Sequence, residues 1–237
     1  MNLIGEHLSK SYDQDLQNLV NLFLKMGGMA EANLTKAIES LVKSDVALAE
    51  DVIDGDKEIN FTEQQLDDLV VKVLARRQPA ASDLRMIIAI SKAIIDLERI
   101  GDEAAKIARY AQVLCEEGES PRGYVETRHI GNQVRVMLHD TLDAFARLDV
   151  KQALAVMQSD REIDLEYKTA TRALMTYMME DPRYIARVLN VMWVLRSLER
   201  IGDHARNVAE QLVYLVQGTD IRHISDEALR KRIDGQA

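Results

Sequence analysis

Apolar residues recur at the three- and four-residue spacing of a helix through most of the chain. The breaks in that pattern are few and carry clear stop signals. Pro79 in RRQPAASDLR, Pro121 in GESPRGYVE and Pro182 in MMEDPRYIARV each fall where an apolar run ends. A missing N–H and a fixed φ exclude proline from helix interiors, and Asp181 stands where it can cap the helix that follows. The pattern predicts six helices, over about 4–44, 46–76, 81–116, 122–147, 150–179 and 183–217. A polar tail follows from Gly218, with a short helix expected near Glu227. The richest loop signal, EEGESPRG at 116–123, lies near the midpoint and divides the chain into units 1–118 and 119–217, with 218–237 as the tail.

The two units repeat one another. ERIGD occurs at Glu98 to Asp102 and again at Glu199 to Asp203, inside LERIGDEAAKIA and LERIGDHARNVA. Upstream, DVALAEDVIDGDKEIN at 45–60 answers DVKQALAVMQSDREID at 149–164, sharing the opening Asp-Val, an Ala, a Val, then Asp, Glu and Ile. Two matched segments in the same order point to internal duplication, here of a three-helix unit in tandem.

Composition strengthens the helical reading. Of the 237 residues 47% are apolar, enough to bury a core, and only 5% are aromatic; Gly and Pro are scarce. The expected fold is all-α. A formal charge of −9 argues against nucleic acid as a main partner. Cys115 is the one cysteine, so neither an intrachain disulfide nor a cysteine zinc cluster is available, and the residue reads as a buried or half-buried small apolar group. No long uncharged apolar window and no secretory leader is visible, so the expectation is a cytoplasmic protein that meets a membrane only through partners.

The repeated phrases carry the candidate chemistry. Residues four apart in a helix lie about 40° apart around its axis and share a face. Glu98 and Asp102 form one such pair, Glu199 and Asp203 the next; Asp56 with Asn60 and Asp160 with Asp164 form another pair in each half. Like charges so placed repel, and an oxygen-rich cluster suits Mg²⁺, Mn²⁺ or oxidised iron. Ordinary salt bridges are the competing explanation, because Lys106 follows Asp102, Arg206 follows Asp203, and Arg196 and Arg200 flank Glu199. Gly101 and Gly202, just before the second acid of each pair, suggest close helix approach or room beside a site. MGGMAE at 26–31 reads as a tight helix crossing, and Met178, Met179 and Trp193 as core or interface residues. None of HExxH, GxxxxGK[ST], GxSxG, a dinucleotide fingerprint or a di-iron Glu-x-x-His pair is present, so the residues are a poor basis for an enzyme.

Taken together, MGGM at 26–29, VIDGDKEIN at 52–60, LARRQPAASDLR at 74–85, LERIGD at 97–102, MLHDTLDAFARLD at 137–149, LMTYMMEDPR at 174–183 and SLERIGDHARN at 197–207 resemble the PhoU family over nearly the whole length. The resemblance implies two tandem three-helix bundles with multinuclear metal sites on their surfaces. The ligands it implies are Asp56, Glu98, Asp102, Asp160, Asp164, Glu199 and Asp203, with Asn60 departing from the acidic pattern and weakening the first site. The metal is left open among Mg²⁺, Mn²⁺, Fe³⁺ and Zn²⁺. It further implies a cytoplasmic, often dimeric, non-enzymatic negative regulator. Such a regulator contacts the phosphate ABC transporter's cytoplasmic components and a phosphate-sensing histidine kinase to hold the phosphate-starvation response off. A carboxylate-bridged metalloenzyme acting on phosphate esters or oxygen is the competing function.

Overall fold

The structure is a computed structural model, and it describes residues 10–118 and 124–221. Six long helices account for nearly all of them: α1 (Lys10–Lys43), α2 (Val46–Arg77), α3 (Ala81–Glu116), α4 (Val125–Arg147), α5 (Val150–Glu180) and α6 (Ile185–Gln217). The expected helix starts near 4 and 122, and the short helix near Glu227, lie outside the described residues. α1, α2 and α3 pack on one another as one three-helix bundle, and α4, α5 and α6 as a second. No helix among the described residues is long and apolar enough to cross a membrane.

The duplicated Asp-Val phrase has a local cause. Asp45 and Asp149 are N-caps: Asp45 accepts a hydrogen bond from the Leu48 N–H at 3.0 Å, and Asp149 from those of Lys151 and Gln152 at 2.9 and 3.1 Å. In both turns the preceding residue, Ser44 or Leu148, takes a left-handed φ of 53° or 56°. The cap's own N–H then reaches back to Ser40 or Ala144 at 2.9 Å, closing the helix before it. Asp181 caps as expected, but it closes a single 3-10 turn, Pro182–Tyr184, after which α6 begins.

The bundles join along two antiparallel crossings. In α1 and α4 the small residues Gly27 and Gly131 hold equivalent places in the two halves. Each receives a branched side chain from the other helix. Leu142 lies over Gly27, and a Cβ on Gly131 would stand 3.1 Å from the Ile38 Cδ1. MGGM is thus a tight crossing, as its glycines suggest. Beside it the rings of Phe23 and Phe145, both fully buried, stack at 4.6 Å between centroids with a 47° tilt.

α3 and α6 form the second crossing, running antiparallel from Arg85 against Gly218 at one end to Glu117 bonded by Asn190 at the other. Its polar contacts are specific. Glu103, 1% exposed, takes Arg200 at 2.6 Å and Lys106 at 2.9 Å, while Asp96 meets His204 Nδ1 at 2.8 Å and accepts from the Asn207 amide at 2.9 Å. Buried carboxylates need such partners, and the pairings fix how one bundle sits against the other. Cys115 is half-buried near the end of α3, with its thiol 3.4 Å from the Ser44 carbonyl.

Candidate functional site

The repeated ERIGD phrases sit midway along α3 and α6, each against the neighbouring helix of its own bundle. Their glycines allow this. A Cβ on Gly101 would lie 3.0 Å from the Ile59 Cδ1 and 3.1 Å from the Asp56 Oδ1, and one on Gly202 3.3 Å from the Asp160 Oδ1. The bare backbone therefore seats a buried aspartate from the next helix, Asp56 at 7% and Asp160 at 3% exposure. Of the two uses open to these glycines, close approach is the one the structure adopts.

In the first half α2 supplies Asp56 and Asn60, and α3 supplies Glu98 and Asp102. Burial raises the Asp56 carboxyl above its ordinary range, and the charge of Asp102 adds to it. Glu98 is raised by burial and then by Asp102, with Arg99 opposing. Glu63, one turn beyond Asn60, is raised by burial and then by Asp67, and joins this acidic face although its position in the sequence drew no attention. Arg99 supplies the counter-charge, 3.4 Å from Glu98 and 3.3 Å from Asp102. Asp56 Oδ1 and Asn60 Oδ1 are buried without a hydrogen-bond donor.

The second half repeats the arrangement with a different latch. Burial pushes the Asp160 carboxyl up to about 6, Arg206 opposes the rise, and Asp203 and Asp164 add to it. Arg206 bridges two buried acids, Asp160 and Glu210, each at 3.2 Å. Arg196 donates to Glu199, whose carboxyl is raised by burial and then by Asp203. Asp203, raised by burial and then by Asp164, is the most exposed of the four.

The eight predicted residues are therefore gathered four by four, but not as metal centres. Among the described residues no group of three or more His, Cys, Asp or Glu side chains is arranged to hold a metal ion. The expectation of bound Mg²⁺, Mn²⁺, Fe³⁺ or Zn²⁺ is corrected accordingly. The repulsion among the carboxylates is met by other means: guanidinium groups at Arg99, Arg196 and Arg206, and a raised affinity for protons at the buried acids. The local pairings also differ from those the spacing suggests. Lys106 serves the buried Glu103 in place of Asp102, and Arg206 turns from Asp203 to Asp160 and Glu210, because the less exposed acids gain most from a partner.

This electrostatic reading sets a pH dependence. Asp160 carries a folded pKa of about 6 against 3.8 for the free side chain. Its proton is held more tightly in the fold, so the stability it contributes is greatest below about pH 4 and is lost as pH rises through about 6. Asp160→Asn removes that loss while keeping an oxygen for Arg206. The variant is expected to be more stable than the parent at pH 7 by about 1–3 kcal/mol, and the gain should vanish near pH 4. Urea midpoints across pH 4 to 8 check it. A parallel decline in both proteins would contradict the assignment.

The wider comparisons agree with the duplicated architecture. The PhoU domain profile matches the chain twice, over residues 23–111 and 127–212, so each match spans one bundle. The chain is 58% identical to the phosphate-specific transport system accessory protein PhoU homolog of Pseudomonas putida, over 99% of its own length and 91% of the relative's. It is 42% identical to the phosphate-specific transport system accessory protein PhoU of Escherichia coli K12, over 98% and 96% of the two chains. Among solved structures, PhoU from Pseudomonas aeruginosa superposes with a TM-score of 0.86 at 59% identity, covering 88% of this chain and 100% of that one. The phosphate transport system regulatory protein PhoU from Streptococcus pneumoniae reaches 0.81 at 30% identity, covering 88% and 98%.

Proposed function

The chain belongs to the PhoU family, and we propose that within it this protein works as an adaptor between a phosphate-specific ABC transporter and a phosphate-sensing histidine kinase. Family membership makes it a cytoplasmic, non-enzymatic regulator of phosphate signalling. The observation that carries the reading is the pair of PhoU domain matches, one per bundle, in a chain that spans nearly all of its relatives. Six helices of more than twenty residues each supply long faces for protein contact, and the α3–α6 pairings hold those faces in one arrangement. We take residues 1–118 and 119–217 as its two units, one per domain match, with 218–237 as a tail, and a homodimer as its working form.

The eight oxygen-bearing residues belong to this reading as acidic faces, one on each unit. Asp203, which is exposed, and Asp102, which is half-buried, would meet basic side chains of a partner. The competing metalloenzyme has no metal-holding cluster among the described residues on which to rest.

The adaptor role is tested by titrating the purified protein with the transporter's ATPase subunit and, separately, with the cytoplasmic region of the kinase from the same organism. Saturable binding to both is expected. Binding to neither would remove the adaptor role.

A further inference from the structure

The α3–α6 crossing carries a related contact at each of its ends. Gly118, beyond the end of α3, and Gly218, beyond the end of α6, both take a left-handed φ, 86° and 71°, and an arginine from the opening turns of the opposite helix reaches each of them. Arg85 of α3 lies with its Nη1 against Gly218, leaving no room there for a Cβ. Arg187 of α6 donates from Nη2 to the Gly118 carbonyl at 2.6 Å. A helix C-terminus carries partial negative charge, so a guanidinium is favoured at both places.

The two ends differ in how far the contact is built. The same Arg187 Nη2 also donates to the Tyr124 hydroxyl at 2.6 Å, and its guanidinium lies 5.9 Å from the centre of the Tyr124 ring. Glu117 adds a carboxylate at 4.0 Å and accepts from the Asn190 amide at 3.1 Å. Arg187 therefore grips the connection between the bundles from both sides, at Gly118 behind α3 and at Tyr124 in front of α4. Nε is buried without an acceptor in both arginines, but among the described residues no nitrogen of Arg85 donates a hydrogen bond.

The repeat shows what this place otherwise holds. In the register of the ERIGD phrases the counterpart of Arg187 is Met86, and the arginine is 9% exposed where the methionine is 1% exposed. A charge thus stands where the sister helix buries an apolar side chain of similar length. Replacing a buried charge by such a side chain is often neutral or stabilising, so stability alone does not account for the arginine. What it adds is direction, through bonds that form in one relative setting of α3, α4 and α6.

We infer that Arg187 is the clasp of the joint between the bundles, a positioning residue that ties the end of α3, the start of α4 and the opening turn of α6 in one setting. The Arg85 end of the crossing is left unclasped. The joint so defined decides how the faces of one bundle are presented beside those of the other.

Nitroxides at the exposed Glu50 of α2 and Thr176 of α5, in a Cys115→Ala background, test this in the full chain. Pulsed electron paramagnetic resonance reads the distance between them, with unlabelled protein added in excess so that only distances within one chain are seen. Arg187→Met installs the residue of the sister helix. Its distance distribution is expected to broaden or gain a second peak, while its urea midpoint stays at or above the parent's. Tyr124→Phe, which removes one acceptor and keeps the ring, should shift the distribution the same way by less, and Arg85→Met should leave it unchanged. A distribution for Arg187→Met as narrow as the parent's overturns the clasp, whether or not the midpoint falls. Equal broadening in Arg85→Met overturns it as well, because the joint would then owe nothing particular to Arg187.

Discussion

Phe145→Ala is expected to cost about 3–5 kcal/mol and to lower the stability of both bundles together. The ring is fully buried on α4, and its neighbour at 4.6 Å is Phe23 of α1, in the other bundle. Removing it forfeits the transfer energy of a whole aromatic side chain, opens a cavity between helices held close at Gly27 and Gly131, and loses an aromatic pair worth about 0.5–1.5 kcal/mol beyond its area. The chain's single tryptophan, Trp193, lies in the second bundle, so its fluorescence reports that half while circular dichroism reports both. If the crossings fuse the bundles, the two signals lose stability by the same amount and their transitions coincide. A variant in which the tryptophan signal melts well before the helical signal would show two bundles that unfold separately.

The helical architecture was legible because it is written in local signals. Prolines mark the breaks, and the repeated Asp45-Val46 and Asp149-Val150 phrases, which look like mere similarity in the sequence, are the caps that start α2 and α5. The repeated ERIGD phrase was also legible as a site where two helices meet, since both glycines lie against a buried aspartate of the neighbouring helix. Helical spacing predicts only which side chains share a face. It does not tell how far acids on different helices converge, nor which arginine crosses to meet them. Arg206 satisfies Asp160 on α5 and Glu210 on its own helix, and Arg200 reaches Glu103 in the other bundle. The Arg200 pairing depends on how α3 and α6 are set against each other and the Asp160 pairing on how α5 meets α6, neither of which helical spacing supplies. His204 shows the same limit: its position beside Asp203 turns it away from the acidic face, and its partner, Asp96, lies across the seam.

The exposed end of the second bundle was invisible for a related reason. Trp193 and Met179 sit in apolar-periodic stretches that read as core or interface, and the pattern alone does not tell that both side chains are exposed.

The regulator's central claim is tested most directly in its own organism, by deleting the gene and measuring phosphate-repressible alkaline phosphatase activity in phosphate-rich medium. Loss of the protein should release the response, so that activity approaches that of phosphate-starved cells and returns to the repressed level when the intact gene is restored. Activity that stays fully repressed in the deletion strain would contradict the assignment of this protein to the control of phosphate signalling.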